Sequence, residues 1–330
     1  MSKPLPILEH MPRHVKEKIV DRTDTSTKFV LLRCSKDYHS IVSQSRIKYD
    51  SVSFKVINEK KIQLELSIDN YTRTYTYECY QNKHVMQSGH PKLLKDTDFV
   101  DEAVKKLMKM LRFPNIVMKN FTVKIEGNYI RETYSQALKN RILATLEANL
   151  SSFTQKLHVT YLELKVDPCQ EDILRILPHL KPGILKTISL IARIGSLHHS
   201  VHFPDLSRIV QLPQWKEATS LCLWQYRIAY DHPDTNHFAK VLADGDLMSL
   251  EEFKNMINKF LCKDGWANRT FYFIHSDFAH APIYEYLSRF EKTPRGLFRI
   301  ERNGVQCVVC FQNNNMAISN PEKDKRYSRS

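Results

Sequence analysis

The 330 residues carry 49 Lys and Arg against 36 Asp and Glu, a formal net charge of +13, with 42% apolar and 26% charged positions. This is the composition of a folded soluble chain whose surface attracts anionic partners through long-range, salt-sensitive fields. Eight glycines in the whole chain argue against phosphate-cradling loops, which need close backbone approach, and no run of about 18 apolar residues is available to span a membrane.

The first element is residues 5–42. Met11-Pro12 opens a helix, because a proline in the first turn gives up an N–H that would have no partner anyway. Val15, Ile19 and Val20 then lie close to i, i+4 spacing and make one stripe. Asp24, Thr25, Ser26 and Thr27 read as a polar turn. Phe29, Val30, Leu31 and Leu32 follow as a buried-looking run into Cys34-Ser35-Lys36, and Tyr38, Ile41 and Val42 continue the pattern. The segment is a three-helix module below the size that supports its own core, so it is expected to lean on a partner.

Residues 51–56 and 61–68 alternate apolar and polar side chains around a polar INEK turn and predict a hairpin. The Thr- and Tyr-rich residues 73–80 extend it to an antiparallel meander. Residues 81–97, polar and holding Gly89 and Pro91, read as a linker. A helix is predicted at 98–112, with Phe99, Ala103, Leu107 and Met110 on one face and Phe113-Pro114 as its stop.

A rhythm then sets in. Strand patterns at 121–127, 158–166, 185–191, 218–224 and 269–275 alternate with helix patterns at 137–150, 170–180, 203–217 and 249–261. The first strand spacings, roughly 27–37 residues, point to stacked β-α units joined by helical crossovers, and so to parallel strands. The predicted class is mixed α+β and α/β: a small three-helix module, a short antiparallel meander, then a leucine-rich-repeat-like array. A compact doubly wound sheet is the alternative. Lys181-Pro182-Gly183 should stop one helix with a left-handed exit, and Ser249 with Glu252 forms a capping box for the next. Residues 297–313 read as a terminal hairpin turning at Asn303-Gly304, and residues 314–330 as a disordered tail.

The candidates for chemistry are few. Cys307 and Cys310 have CxxC spacing, but inside a strand such residues point to opposite faces and no second ligand pair lies nearby. His198, His199 and His202, and likewise His275, Asp277 and His280, lack a helix-borne carboxylate at helical spacing and read as exposed loops. No P-loop, dinucleotide glycine set or GxSxG elbow occurs. Seven scattered cysteines suit reduced thiols in a cytoplasmic or nuclear protein, in keeping with an N-terminus that has no continuous apolar stretch. No catalysis, cofactor or metal is expected.

Two stretches carry a resemblance. Leu8, Met11-Pro12, Val15, Ile19-Val20, Val30-Leu31-Leu32, Cys34-Ser35-Lys36 and Ile41-Val42 resemble an F-box, with Met11-Pro12 where the family has Leu-Pro and Arg13-His14 where it has an acidic residue. Residues 176–190, 212–224 and 236–261 resemble the FTH domain found downstream of F-boxes in a large nematode family, and Trp215 is its sharpest landmark. The resemblance covers roughly residues 5–290. It implies an F-box-like module at 1–48, a meander and linker at 49–97, an FTH-like domain at 98–292 and a hairpin at 293–313. It also implies a non-catalytic substrate-recognition subunit of an SCF ubiquitin ligase. Leu8, Met11, Pro12, Val15, Ile19, Val30 and Leu31 would dock on the Skp adaptor, and through it on cullin. Apart from the resemblance, Trp224 and Tyr226 end the strand pattern at 218–224 and, exposed there, would help bind an unidentified target protein, with a buried core position the other reading of Trp224. A basic repeat protein that binds nucleic acid, and a scaffold outside any ligase, are the rival readings. Nucleic acid is the less expected partner, since no basic cluster or zinc-finger spacing is seen, and no membrane is expected.

Overall fold

The computed structural model describes residues 10–69, 71–80, 83–88, 90–94, 98–113, 115–125, 136–166, 169–192, 201–202, 205–227, 233–244, 249–262, 270–274, 280–293, 297–302, 305–312 and 315–319. Among them are nine α-helices and a large mixed sheet, so the class is mixed α/β. The chain divides into two compact units, Met1–Glu163 with Arg175–Leu185, and Leu164–Leu174 with Lys186–Ser330.

The first unit opens with three short helices, α1 (Arg13–Arg22), α2 (Thr25–Cys34) and α3 (Lys36–Gln44). The polar stretch at 24–27 is the start of α2: the Asp24 carboxylate accepts from the Thr27 N–H at 2.6 Å. Ser35 caps α3 in the same way, accepting from the Tyr38 N–H. Both satisfy donors that a helix start leaves orphaned. The run from Phe29 to Cys34 is not buried as a block. Helical rotation puts Val30, Arg33 and Cys34 in water, while Leu31 and Leu32 are half-buried.

Five strands follow: β1 (Ile47–Asn58), β2 (Lys61–Ile68), β3 (Tyr71–Tyr80), β4 (Lys83–Ser88) and β5 (His90–Leu94), each antiparallel to the next. The last two replace the expected linker. Pro91 and Gly89 suggest a break, but β5 is the last strand in its order, and an edge strand tolerates a residue that cannot donate to the ladder. Asp69 takes a left-handed φ of 48° in the turn before β3, a conformation that Asp tolerates better than most residues. α4 (Phe99–Leu111), β6 (Ile116–Ile125), α5 (Gln136–Ser151) and β7 (His158–Val166) complete the alternation. β1 pairs with β6 in parallel. Register then lines up a buried row of Tyr75, Leu64, Phe54 and Val123 across β3, β2, β1 and β6. Phe99, Ala103, Leu107 and Met110 of α4 are buried as the 3.6-residue pattern requires.

In the second unit the pattern predicted at 170–180 is broken. α6 (Gln170–Leu174) is a single turn, and Leu177–His179 forms a 3-10 turn that begins in the first unit's returning segment. Pro178 explains this, since it has no N–H to give the preceding turn. Gly183 supplies the left-handed exit with φ of 74°. Next come β8 (Thr187–Ala192), β9 (Val201–His202), α7 (Pro213–Lys216), β10 (Ser220–Arg227) and β11 (Lys240–Asp244). α8 (Leu250–Phe260), β12 (Thr270–Ile274), α9 (His280–Leu287), β13 (Glu291–Lys292), β14 (Phe298–Arg302), β15 (Val305–Gln312) and β16 (Asn315–Ser319) complete it. β8, β10, β11 and β12 pair in parallel in that order, while β12, β16, β15, β14 and β13 run antiparallel. One row of buried side chains crosses seven of these strands: Ile188, Leu221, Val241, Phe271, Ile318, Val309 and Phe298. β16 lies in the stretch expected to be disordered. Its Met316 and Ile318 alternate inward, and that pattern is short enough to be lost among polar neighbours. Residues 320–330 and the Asn303-Gly304 turn lie outside the described residues.

Candidate functional site

The three-helix module carries most of the predicted docking residues. Its own core is small: Val20, Tyr38, Ile41 and Val42 are buried, with Leu31 and Leu32 packed against them. The Lys16 ammonium holds α1 to α3, lying 2.5 Å from the Asp37 carboxylate and 5.7 Å from the centre of the Tyr38 ring.

α2 has two unlike stripes. Thr25, Lys28, Phe29 and Leu32 follow i, i+3, i+4, i+7 spacing and face protein. The Lys28 ammonium donates to the Arg46 carbonyl at 2.8 Å, and its burial lowers its pKa from the ordinary value. Thr25 Oγ1 accepts from the Lys48 N–H at 3.3 Å. Phe29 sits 6.3 Å from the Tyr49 ring and 6.2 Å, edge-on, from Phe113. At the start of α2 the Ser26 N–H and hydroxyl both donate to the Asp69 carboxylate. These contacts tie α2 to β1 and to the β2–β3 turn. Composition did not reveal them, but the i, i+3, i+4 placing of Thr25, Lys28 and Phe29 is the signal that could have.

The opposite stripe, Val30, Arg33 and Cys34, faces water, and Val30 is 61% exposed. Of the predicted docking residues, Val30 and Pro12 are therefore exposed. Met11, Val15, Ile19 and Leu31 are half-buried, and Leu8 lies outside the described residues. Leu31 belongs in part to the module's own core, so a charge placed there acts on folding as well as on any surface.

In the second unit, Trp215 is a structural pin. It is 1% exposed. Its indole N–H donates to the Asp234 carbonyl at 3.0 Å, its own carbonyl lies 2.9 Å from His237 Nε2, and Phe238 meets it edge-on at 5.0 Å. Trp224 and Tyr226 do not form a pair on the surface. Trp224 is 36% exposed, whereas Tyr226 is buried at 1%. Two residues apart on a regular strand, they would share a face. The pairing with β11 shifts register between Leu223 and Arg227, and this irregularity turns Tyr226 inward.

The cysteines are free. Cys34 and Cys262 are exposed, while Cys307 is buried deeply enough that its thiol is pushed up to about 12. Cys310 is half-buried. A thiol so protonated is a weak nucleophile and a weak ligand. His202 belongs to β9 rather than to a loop, and His280 begins α9. His198, His199, His275 and Asp277 lie outside the described residues. Among the described residues no group of three or more His, Cys, Asp or Glu could hold a metal ion, and no helix is long and apolar enough to cross a membrane.

No curated protein and no solved structure matches the chain. One family does match in part: residues 140–291, from within α5 to Glu291 of β13, are an FTH domain.

Proposed function

We propose that the chain is the substrate-recognition subunit of an SCF-type ubiquitin ligase. The observation that carries this reading is an FTH domain, a family associated with F-box proteins, downstream of three short helices whose second helix leaves Val30 in water. In this reading the N-terminal module is an F-box. Val30 with Met11, Pro12, Val15 and Ile19 meets the Skp adaptor, each large side chain fully buried there contributing on the order of 1.5–3 kcal/mol. Residues 98–292 hold a target protein, Trp224 marking the contact surface. Their strands form a leucine-rich-repeat-like array, which the parallel pairing of β8, β10, β11 and β12 in chain order supports. The chain contributes proximity and no bond chemistry.

The test is co-elution of the full chain with a Skp adaptor on size exclusion. The proposal expects a complex that is lost in Val30→Asp while the variant keeps the wild-type melting temperature. A well-folded chain that never co-elutes would remove the ligase reading and favour a scaffold.

A further inference from the structure

The first unit contains a cavity of about 310 Å³ where the C-terminal ends of α4 and α5 meet the first residues of β6 and β7. Arg112, Lys156, His158 and Ser152 bring polar groups to its lining, Phe113 and Phe153 give it an apolar wall, and no carboxylate lines it. Two further cations stand beside it. Arg46 abuts Asn115, because the next residue's N–H donates to the Asn115 carbonyl. Lys181 abuts Leu157, to whose carbonyl its N–H donates at 2.8 Å. Arg46 and Lys181 both act, after burial itself, to hold the His158 imidazole below its ordinary pKa, so their field reaches the cavity.

A simpler role for these cations is to balance the helix ends. A helix C-terminus carries about half a negative charge, so two of them amount to about one. Four full positive charges from four separate segments exceed that. Among the described residues, none of the four side chains forms an ion pair or hydrogen bond. The carboxylate that acts on neighbouring His179, Glu147, is engaged by Arg175 at 3.8 Å. In the loop from Thr154 to Lys156 the backbone N–H groups have no protein acceptor among the described residues. The volume lies at the small end of the range for ligand pockets.

We infer that this cavity binds a small organic oxyanion, a phosphate group carried on a compact apolar body, with Arg112 and Lys156 on the anion and Phe113 and Phe153 against the body. This assignment is independent of the ligase reading.

The experiment uses the full chain and calorimetric titration with phenyl phosphate, inorganic phosphate and benzyl alcohol. A capped phosphotyrosine amide is the fourth probe. Phenyl phosphate should bind, more tightly than inorganic phosphate, and benzyl alcohol should not. The double variant Arg112→Ala/Lys156→Ala should weaken phenyl phosphate by about tenfold or more, as expected for losing charge-assisted contacts. Both side chains are exposed, so its melting temperature should match wild type. Affinity for the amide equal to phenyl phosphate would mark a free small molecule as the source, and tighter binding a phosphorylated side chain. Either supports the site. Equal binding of benzyl alcohol, or unchanged affinity in a double variant that melts like wild type, would overturn it.

Discussion

Trp215 and Val30 stand at opposite ends of one scale. Trp215 is 1% exposed, its indole N–H is hydrogen-bonded and an aromatic neighbour packs against its ring. Val30 is 61% exposed on a helix whose other stripe, Thr25, Lys28, Phe29 and Leu32, packs on protein. A large apolar residue with all its surface and polar atoms satisfied needs no second molecule to explain it. One that stays in water beside a helical face already packed on protein has its surface left open to a second molecule. The same contrast recurs within β10, where a register shift buries Tyr226 and leaves Trp224 half in water.

Removing the pin should have the largest effect. Trp215→Ala leaves a cavity and removes the indole hydrogen bond to the Asp234 carbonyl, so thermal unfolding should report a loss of about 3–5 kcal/mol. A loss below about 1 kcal/mol would mean the neighbourhood of Trp215 is soft, and the contrast with Val30 would fail. Next comes the cap of α8, where Ser249 and Glu252 exchange reciprocal bonds. Ser249→Ala should cost about 1 kcal/mol in urea unfolding without changing the slope.

A smaller, pH-dependent effect is expected at the cap of α4. Burial acts to raise the Asp98 pKa, but the Arg141 guanidinium at 3.0 Å and the Val100 N–H outweigh it, and the group is held below its ordinary value. A depressed carboxylate contributes stability above its unfolded pKa and loses it as pH falls through the folded one. Asp98→Asn keeps a capping oxygen but no charge. It should therefore melt below wild type near neutrality, and the gap should close as pH falls below about 4. A gap independent of pH would show that the ion pair with Arg141 does not stabilise the fold. The smallest stability change is expected at Val30→Asp, within about 0.5 kcal/mol, because the side chain is already in water.

The long periodic elements could be read from sequence: β7 at residues 158–166, α4, α5, and α8 with its capping box. What escaped has identifiable physical causes. β4 and β5 were hidden by Gly89 and Pro91, residues that usually end strands, whereas Pro91 in β5 is tolerated at a sheet edge. β11 is five residues long, with only Val241 and Ala243 buried to mark its period. The docking of α2 on β1 uses Lys28, whose charge argues for solvent until its hydrogen bond to the Arg46 carbonyl is seen. Tyr226 is buried by a register shift in β10, which strict alternation does not show. The cavity is lined by Arg112 and Lys156 and flanked by Arg46 and Lys181, from four segments far apart in sequence, so no local motif announces it.

Whether the exposed stripe of α2 docks a partner is decided by the dissociation constant of a Skp adaptor for the full chain and for Val30→Asp. Both proteins are first matched for melting temperature. Wild type should bind measurably and the variant about tenfold or more weakly, as burying an unpaired charge in an apolar interface requires. Equal affinity of the two, or no binding by a well-folded wild type, would contradict it.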